Sequence, residues 1–396
     1  MRTGWSSKRL GDVSEIRYGY TESASFEPVG PRFLRITDIQ EERVCWDRVP
    51  YCIIAPELLP KFRLETGDIV FARTGATTGK SFLVSDPPAA VFASYLIRLR
   101  VLSDIRPSYL SYYFRWGVYW AAIKEGSAGS AQGGFNASKL ADLEIPFPSG
   151  TEQERIVAIL DEAFEGVATA QANAHTNLQN AHSLLDDYLK AVFMHHGKKW
   201  VEKRLDEVAK FSSGGTPPKQ NESYWSGKIP WVSGRDMKST RLSDSLLHIS
   251  KSAVDGSSTR MAPTGTLLIL VRGMGLAHGA QIAELMAPCA FNQDIKGIHP
   301  EPGLIPRYLL FALRERVNSS GTAMSNAAHG TLKIDSAELV GLTIPVPPRE
   351  YQQRVVTRID SLTEETQRLG SVYQRKLAAL DELKQSLLHQ AFTGKL

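Results

Sequence analysis

The sequence predicts a mixed α/β protein: two similar globular domains joined by two long antiparallel coiled-coil helices, an internal duplication with pseudo-two-fold symmetry. Three observations lead there. The chain repeats itself at a separation of nearly half its 396 residues. Each repeat closes on a Pro-rich tetrapeptide. A Pro-free stretch of about 40 residues follows each time, with apolar residues in steps of 4 and 3, the signature of a helix seam.

The repeat is explicit. Trp5-Ser-Ser-Lys-Arg-Leu-Gly-Asp-Val13 returns as Trp200-Val-Glu-Lys-Arg-Leu-Asp-Glu-Val208, 195 positions on, and Ile145-Pro-Phe-Pro148 returns as Ile344-Pro-Val-Pro347, 199 positions on. Solenoid units repeat every 20 to roughly 50 residues, so this is a duplicated domain plus helix. The chain divides into a globular block 1–149, a helix 150–197, a second block 198–349 and a second helix 350–396. Within the blocks, Asp68–Ala72, Leu96–Val101 and Leu267–Val271 read as strands. Pro107–Ile123 and Pro306–Val317 read as helices with proline in the first turn. The Gly/Ser-rich stretches Gly126–Gly134 and Ser319–Gly330 are loops suited to touching a ligand.

The first long helix opens on Thr151-Glu-Gln-Glu154, which reads as a capping box. Its seam runs Ile156, Leu160, Ala163, Val167, Ala170, Ala174, then Ala181, Leu184 and Tyr188. The second seam runs Val355, Ile359, Leu362, Thr366, Leu369, Tyr373, then Leu380, Leu383 and Leu387, each 199 positions after its counterpart. Both break at the same step, on Asn177 and Lys376. A polar seam residue can fix register, or it marks an irregularity where water enters. Helices of about 60 Å cannot bury such stripes on their own small domains, so they bury each other. An antiparallel pair also brings together the two ends of block 198–349, which a parallel pair would stretch along the helices.

Composition is ordinary for a globular chain, 42% hydrophobic and 22% charged, with room for two cores. No apolar run approaches the roughly 18 residues of a membrane span, and no signal core follows Met1, so a cytoplasmic location is expected. Cys45, Cys52 and Cys289 share no CxxC spacing and read as buried reduced thiols. The net charge of +4 is unevenly spread: +2 in 1–149, −5 in 150–197, +6 in 198–349 and +1 in 350–396. Positive charge in the blocks permits a polyanionic partner without demanding one.

Catalytic motifs fail on inspection. Thr74-Gly-Ala-Thr-Thr-Gly-Lys-Ser81 resembles a phosphate loop but has three residues between its glycines where four are needed, so a basic hairpin loop is the better reading. Asp86-Pro-Pro-Ala89 lacks the aromatic of an amino-methyltransferase site and reads as a turn. His195-His196 are neighbours, without helical i, i+4 metal spacing. No catalytic residue and no metal site is assigned.

Recognition chemistry remains. Phe33-Leu-Arg-Ile-Thr-Asp-Ile39 offers Arg35 and Thr37, and its counterpart Trp231–Met237 offers Arg235. Arg73, followed by Thr74, and Arg272 stand 199 apart at equivalent strand ends. Arginine suits bidentate contact with guanine or phosphate. Asn292 and Gln293 carry amides that match adenine edges, with Lys296 beside them. Lys80, Ser130, Gln132, Ser213, His329 and Lys333 complete the set of expected DNA contacts.

Taken together, these features resemble the specificity subunit of type I restriction–modification enzymes. The resemblance covers the whole chain. It rests on the block–helix–block–helix order and on Ile-Pro-hydrophobic-Pro followed by Glu-Gln-Glu-Arg155 or Tyr-Gln-Gln-Arg354. It also rests on Gly67-Asp-Ile-Val-Phe-Ala-Arg-Thr-Gly-Ala-Thr-Thr-Gly-Lys80, Ser213-Gly-Gly-Thr-Pro217, Ile229-Pro-Trp-Val232, Asn292-Gln-Asp-Ile-Lys-Gly297 and Ala391-Phe-Thr-Gly-Lys-Leu396. It implies two target-recognition domains, each reading half of a bipartite sequence in double-stranded DNA, and helices that serve as ruler and as docking site for two methyltransferase subunits. No cofactor would bind this chain: S-adenosylmethionine would sit on those subunits, which methylate adenine N6, and ATP with Mg²⁺ on a restriction/translocase subunit. The alternatives are a scaffold that binds protein and no DNA, or a nucleotide-hydrolysing enzyme using Gly75–Ser81.

Overall fold

A computed structural model describes residues 4–40, 43–102, 104–127, 134–194, 200–319, 324–326 and 332–396. The chain forms two compact units: Met1–His175 with Gln374–Leu396, and Thr176–Tyr373. Each long helix, Gly150–Met194 and Arg349–Thr393, therefore contributes one part to each unit.

Unit 1 is built on an antiparallel sheet in the order Ser14–Tyr18, Leu96–Val101, Ile69–Ala72, Ser81–Leu83. A parallel pair, Arg32–Leu34 with Ala90–Phe92, lies apart from it. Unit 2 repeats the plan with Ala209–Ser213, Ile295–Pro300, Leu267–Leu270 and Ile282–Leu285, to which Arg241–Leu242 adds in parallel. Its second sheet contains the matching parallel pair, Ile229–Val232 with Cys289–Phe291. The central strands are buried throughout, which explains their unbroken apolar runs.

The two sequence signatures of the repeat pair with each other. Ser6–Arg9 lies antiparallel to Glu144–Phe147, and Val201–Arg204 to Thr343–Val346. The first proline of each Ile-Pro-X-Pro keeps a free carbonyl, and a buried tyrosine uses it: Tyr109 Oη donates to Pro146 O at 2.9 Å, and Tyr308 Oη to Pro345 O at 2.8 Å. The same tyrosines pack on a helix phenylalanine, Tyr109 on Phe392 at 5.2 Å and Tyr308 on Phe193 at 5.4 Å.

The helix pair is antiparallel within each unit. In unit 1, Arg155 Nη2 donates to Leu396 O at 2.7 Å and Lys384 Nζ to Gln171 Oε1 at 2.7 Å, so partners descend along one helix as they ascend the other. Ile156 and Leu160 share a core there with Leu388, Ala391 and Phe392. In unit 2 the order reverses, and Leu189 and Phe193 share a core with Val355, Val356 and Ile359. Ile156, Leu160, Val167, Val355, Ile359 and Leu362 are buried as the seam requires, and Tyr188, Leu369 and Leu387 are half-buried.

Four seam positions are corrected. Asn177, Leu184, Lys376 and Leu383 are exposed. Leu178 and Leu377 are half-buried one position on, and Leu185 is packed where Leu184 was expected. A straight α-helix drifts by about 20° per heptad against a 3.5-residue repeat, so after Ala174 one row of the seam moves on by one residue, while Ala181 stays buried and Tyr188 half-buried in the other. The polar pair therefore sits outside the seam and fixes no register. The capping box is corrected too: Glu152 N donates to Ser149 Oγ at 3.4 Å, and the helix starts at Gly150. The helix expected over Pro107–Ile123 is two, Pro107–Tyr113 and Gly117–Ser127. Cys52 and Cys289 are buried, their thiols pushed up to about 11 by desolvation, whereas Cys45 is exposed.

One equivalent pair differs in chemistry. In unit 1 the buried Asp68 holds Arg100 through two bonds of 2.7 and 2.8 Å. The ladder sets Thr266 and His299 at these places in unit 2, 3.1 Å apart, with Ser212 Oγ 2.7 Å from the other ring nitrogen. Burial holds His299 below its ordinary value of 6.5. The unfolded chain then binds the proton first, so this stability is present above pH 6.5 and is lost as pH falls through that value toward the lower folded one. Urea unfolding of unit 2 should shift to lower midpoints between pH 7 and about 5.5. His299→Gln should flatten that loss, and equal slopes would remove His299 as its source.

Candidate nucleic-acid interface

Unit 2 gathers five of the expected contacts around one opening. Arg272, Gln293, Lys296 and Lys333 line a cavity of about 320 Å³, together with Asp294 and Asp335. Lys296 Nζ donates to Ser213 Oγ at 2.7 Å, which brings in the fifth. Backbone pairing explains the placement. Arg272 follows strand Leu267–Leu270 and bridges Lys333, while Ile334 N donates to Val271 O at 2.9 Å. The Ser213-Gly-Gly-Thr216 turn lies flat on Phe291-Asn292. A Cβ at Gly214 would fall 2.2 Å from Asn292 O, so only glycine fits, and Gly215 N donates to Phe291 O at 2.9 Å. Thr216 Oγ1 donates to Gln293 Oε1 at 2.5 Å and aims that amide.

The cavity presents both signs of charge. Three cations have the chemistry for phosphate or guanine, and the carboxylates of Asp294 and Asp335 have that for an exocyclic amino group. Asp335 is partly spent on the N-terminus of helix Ser336–Gly341, where Ala337 N donates to Oδ1 at 2.8 Å. Sequence reasoning passed over Thr216, Asp294 and Asp335, although all three stand within two or three residues of positions it selected.

Two expected contacts are placed elsewhere. Asn292 is buried, its amide donating to Asp294 Oδ2 at 3.3 Å, so it shapes the loop from within. Arg235 is exposed, does not line the cavity, and precedes Asp236, whose carboxylate accepts from Ser233 N at 2.8 Å and closes the turn.

In unit 1 the equivalent strand end carries Arg73. Its Nε donates to Ser94 O at 3.0 Å and its guanidinium lies 5.1 Å above the Tyr18 ring. Arg35 and Thr37 line a cavity of about 310 Å³ with Glu22, Ser94 and Tyr95; Arg73 is not part of that lining and reaches it only through the Ser94 carbonyl. Arg35 is bound at both ends to Asp38, at 3.0 and 2.8 Å, and that bond raises its pKa. Its fork is committed to the turn. Thr37 and the ring of Tyr95 are exposed beside it. Lys80 and Thr74 belong to the hairpin loop joining Ile69–Ala72 to Ser81–Leu83, where only a short turn, Gly75–Thr77, occurs. No helix follows to point its N-terminus at a nucleotide phosphate, which removes the phosphate-loop reading. Ser130, Gln132, His329 and the pair His195-His196 lie outside the described residues. Among the described residues no group of side chains is arranged to hold a metal ion.

A sequence model describing the type I restriction modification DNA specificity domain matches residues 2–174 and again 197–372. The chain belongs to this family. Its two units are two copies of the family domain. The chain is similar to the specificity subunit of the type I restriction enzyme EcoR124I/EcoR124II of Escherichia coli, 32% identical over 225 residues, 55% of this chain and 54% of that one. It thus spans about half the length of that relative. Two solved structures share the fold across the whole chain. One, from work on complex assembly and conformational transition of the type I R-M system, has a TM-score of 0.78 at 21% identity, covering 100% of this chain and 99% of that one. The other, the HsdS subunit from Thermoanaerobacter tengcongensis, has a TM-score of 0.63 at 21% identity, covering 100% and 98%. No helix among the described residues of this family member is long and apolar enough to cross a membrane.

Proposed function

We propose that this chain is the DNA-recognition subunit of a type I restriction–modification complex, each unit reading one half of a bipartite target. The observation that carries this reading is the repetition of one strand-end arginine: Arg73 and Arg272 stand at equivalent strand ends of two family domains, Arg272 lining a surface cavity and Arg73 donating to Ser94, which lines another. Two copies of a domain with unlike recognition loops suit a target with two unlike halves. The long helices offer the docking surface for two methyltransferase subunits, which would supply S-adenosylmethionine. A restriction/translocase subunit would supply ATP and Mg²⁺ chemistry. In this reading the chain itself catalyses nothing and acts in the cytoplasm.

Phosphate contacts position such a protein and a few base contacts specify. Mapping N6-methyladenine in cells that make this chain with its methyltransferase partner should give a gapped motif of two short parts. An ungapped motif would sink the one-unit-per-half reading, and DNA affinity that ignores both sequence and salt would favour a protein-binding scaffold. Lys296→Ala and Lys333→Ala should each lower affinity across all sequences and reduce the slope of log K against log salt by about 1. Gln293→Ala should relax one position of one half-site and leave the salt slope unchanged.

A further inference from the structure

Unit 1 holds a second cavity, of about 370 Å³, whose charge unit 2 does not repeat. Lys80, Arg115 and Lys384 line it with Trp120 and Phe164, and no acidic residue is among its lining. The three cations come from three places: the hairpin loop before Ser81–Leu83, the turn between helices Pro107–Tyr113 and Gly117–Ser127, and the second long helix. Lys384 Nζ donates to Gln171 Oε1 at 2.7 Å, and Gln171 Nε2 donates to Asp381 Oδ1 at 2.7 Å, so an amide stands between this lysine and that carboxylate.

The duplication supplies an internal control. Ala72 N donates to Lys80 O and Leu270 N to Gln281 O, which makes Gln281 the counterpart of Lys80. The offset of 199 shared by the helices sets Arg314 against Arg115, Leu185 against Lys384, Asp186 against Gln385 and Ser319 against Trp120. Arg314 pairs with Asp186 at 3.8 Å. Three positive charges in one unit become a neutral pair in the other, so the shared fold does not require them.

We propose that this cavity binds a phosphate-bearing ligand, in unit 1 alone. Cations converging from three elements suit a multiply charged phosphate group better than a single carboxylate. The volume beyond one phosphate, faced by Trp120 and Phe164, accepts a planar ring. A free nucleotide and a nucleotide of a DNA strand share this chemistry; the second source rests on the proposed DNA recognition, the first does not.

The test uses the full chain, with ATP in the absence of divalent metal, inorganic pyrophosphate, and a duplex lacking the target sequence. The variant Lys384→Leu with Gln385→Asp installs the residues that unit 2 already carries. ATP affinity is expected to fall by about tenfold or more, with an unchanged thermal midpoint. A fall confined to the duplex assigns the phosphate to DNA. Trp120→Ser, which copies Ser319, should weaken ATP binding and spare pyrophosphate, because it removes the ring face and no charge. If both variants bind ATP, pyrophosphate and duplex within about twofold of the parent, or if the parent binds none of them, the proposal is overturned. The methylation map reads the proposed function separately from all of these.

Discussion

Replacing Gln153 or Gln352 by alanine is expected to destabilise one unit by about 3 kcal/mol, more than any surface change in this chain. Each glutamine is essentially fully buried, at 0% and 1% exposure, near the start of a long helix. Gln153 Oε1 accepts from Arg106 N at 2.9 Å, while its Nε2 donates to Asp104 O at 3.2 Å and Pro148 O at 3.1 Å. Gln352 repeats this with Ile305 N at 2.8 Å, Gly303 O at 3.2 Å and Pro347 O at 2.9 Å. One amide thus ties the helix start both to the proline segment before it and to the loop that opens helix Pro107–Tyr113 or Pro306–Ser319. Alanine takes away the partner of the buried proline carbonyl and of the Arg106 or Ile305 amide, each loss costing roughly 1 to 3 kcal/mol before relaxation, while the carbonyl of the exposed Asp104 or Gly303 can turn to water. Glutamate is no remedy, since it keeps the acceptor and loses both donors. Hydrogen exchange at the Arg106 and Ile305 amides gives a unit-specific reading. Exchange should accelerate at Arg106 in Gln153→Ala and at Ile305 in Gln352→Ala, and parental protection in both variants would show that the clasp carries no weight.

The second large effect is expected at Asp68. Asp68→Ala removes a carboxylate that is 1% exposed, leaves Glu65 N without its 2.8 Å acceptor, and takes from Arg100 its two shortest bonds, leaving it Glu65 at 3.2 Å and the Arg63 carbonyl at 3.3 Å. It also removes a negative charge near Arg98, whose guanidinium is 2% exposed and whose pKa is lowered by burial and by Arg100. Arg100 is itself 30% exposed and can turn toward water, which tempers the loss to about 2 to 3 kcal/mol. The duplication offers a rescue. Asp68→Thr with Arg100→His copies Thr266 and His299 and should recover much of the stability lost by Asp68→Ala. In a double-mutant cycle the two changes should couple by more than about 0.5 kcal/mol. Additive losses would mean that the pair acts as two independent residues.

The clasp also shows what was legible from sequence. The motifs around Gln153 and Gln352 stood out as repeats, because two copies of a required contact preserve the same residue in the same place. The Ile-Pro-X-Pro segments stood out for the same reason: each pairs with a Trp-led strand and gives a carbonyl to a tyrosine. The seam of the first helix was legible in full as far as Ala174, and beyond it at Ala181 and Tyr188. Beyond it a fixed 4-3 count chose Asn177 and Leu184, while real helical pitch turned the adjacent Leu178 and Leu185 inward. The candidate contact residues were the least legible. Arg35 and Asn292 have the right chemistry, but each has an aspartate two or three residues away that engages it first. Nothing in the order of residues distinguishes a side chain aimed at a ligand from one closing its own turn. Ser213, Arg272, Gln293, Lys296 and Lys333 do converge, because Gly214 lets the chain lie against Asn292 and the strand end at Arg272 bridges Lys333.

Phe392 has a consequence for the order in which the chain is made. It stacks on Trp116 at 5.5 Å and fills the core beneath Tyr109 and Tyr113, so unit 1 lacks part of its interior until the second long helix has been synthesised. Unit 2 is one continuous stretch, Thr176–Tyr373, and contains all it needs by the time that stretch leaves the ribosome. The segment translated first is therefore completed last. During synthesis its apolar surface around Tyr109 waits for Phe392, 283 positions further on, a window in which a chaperone, or another nascent copy of the same helix, competes for that place.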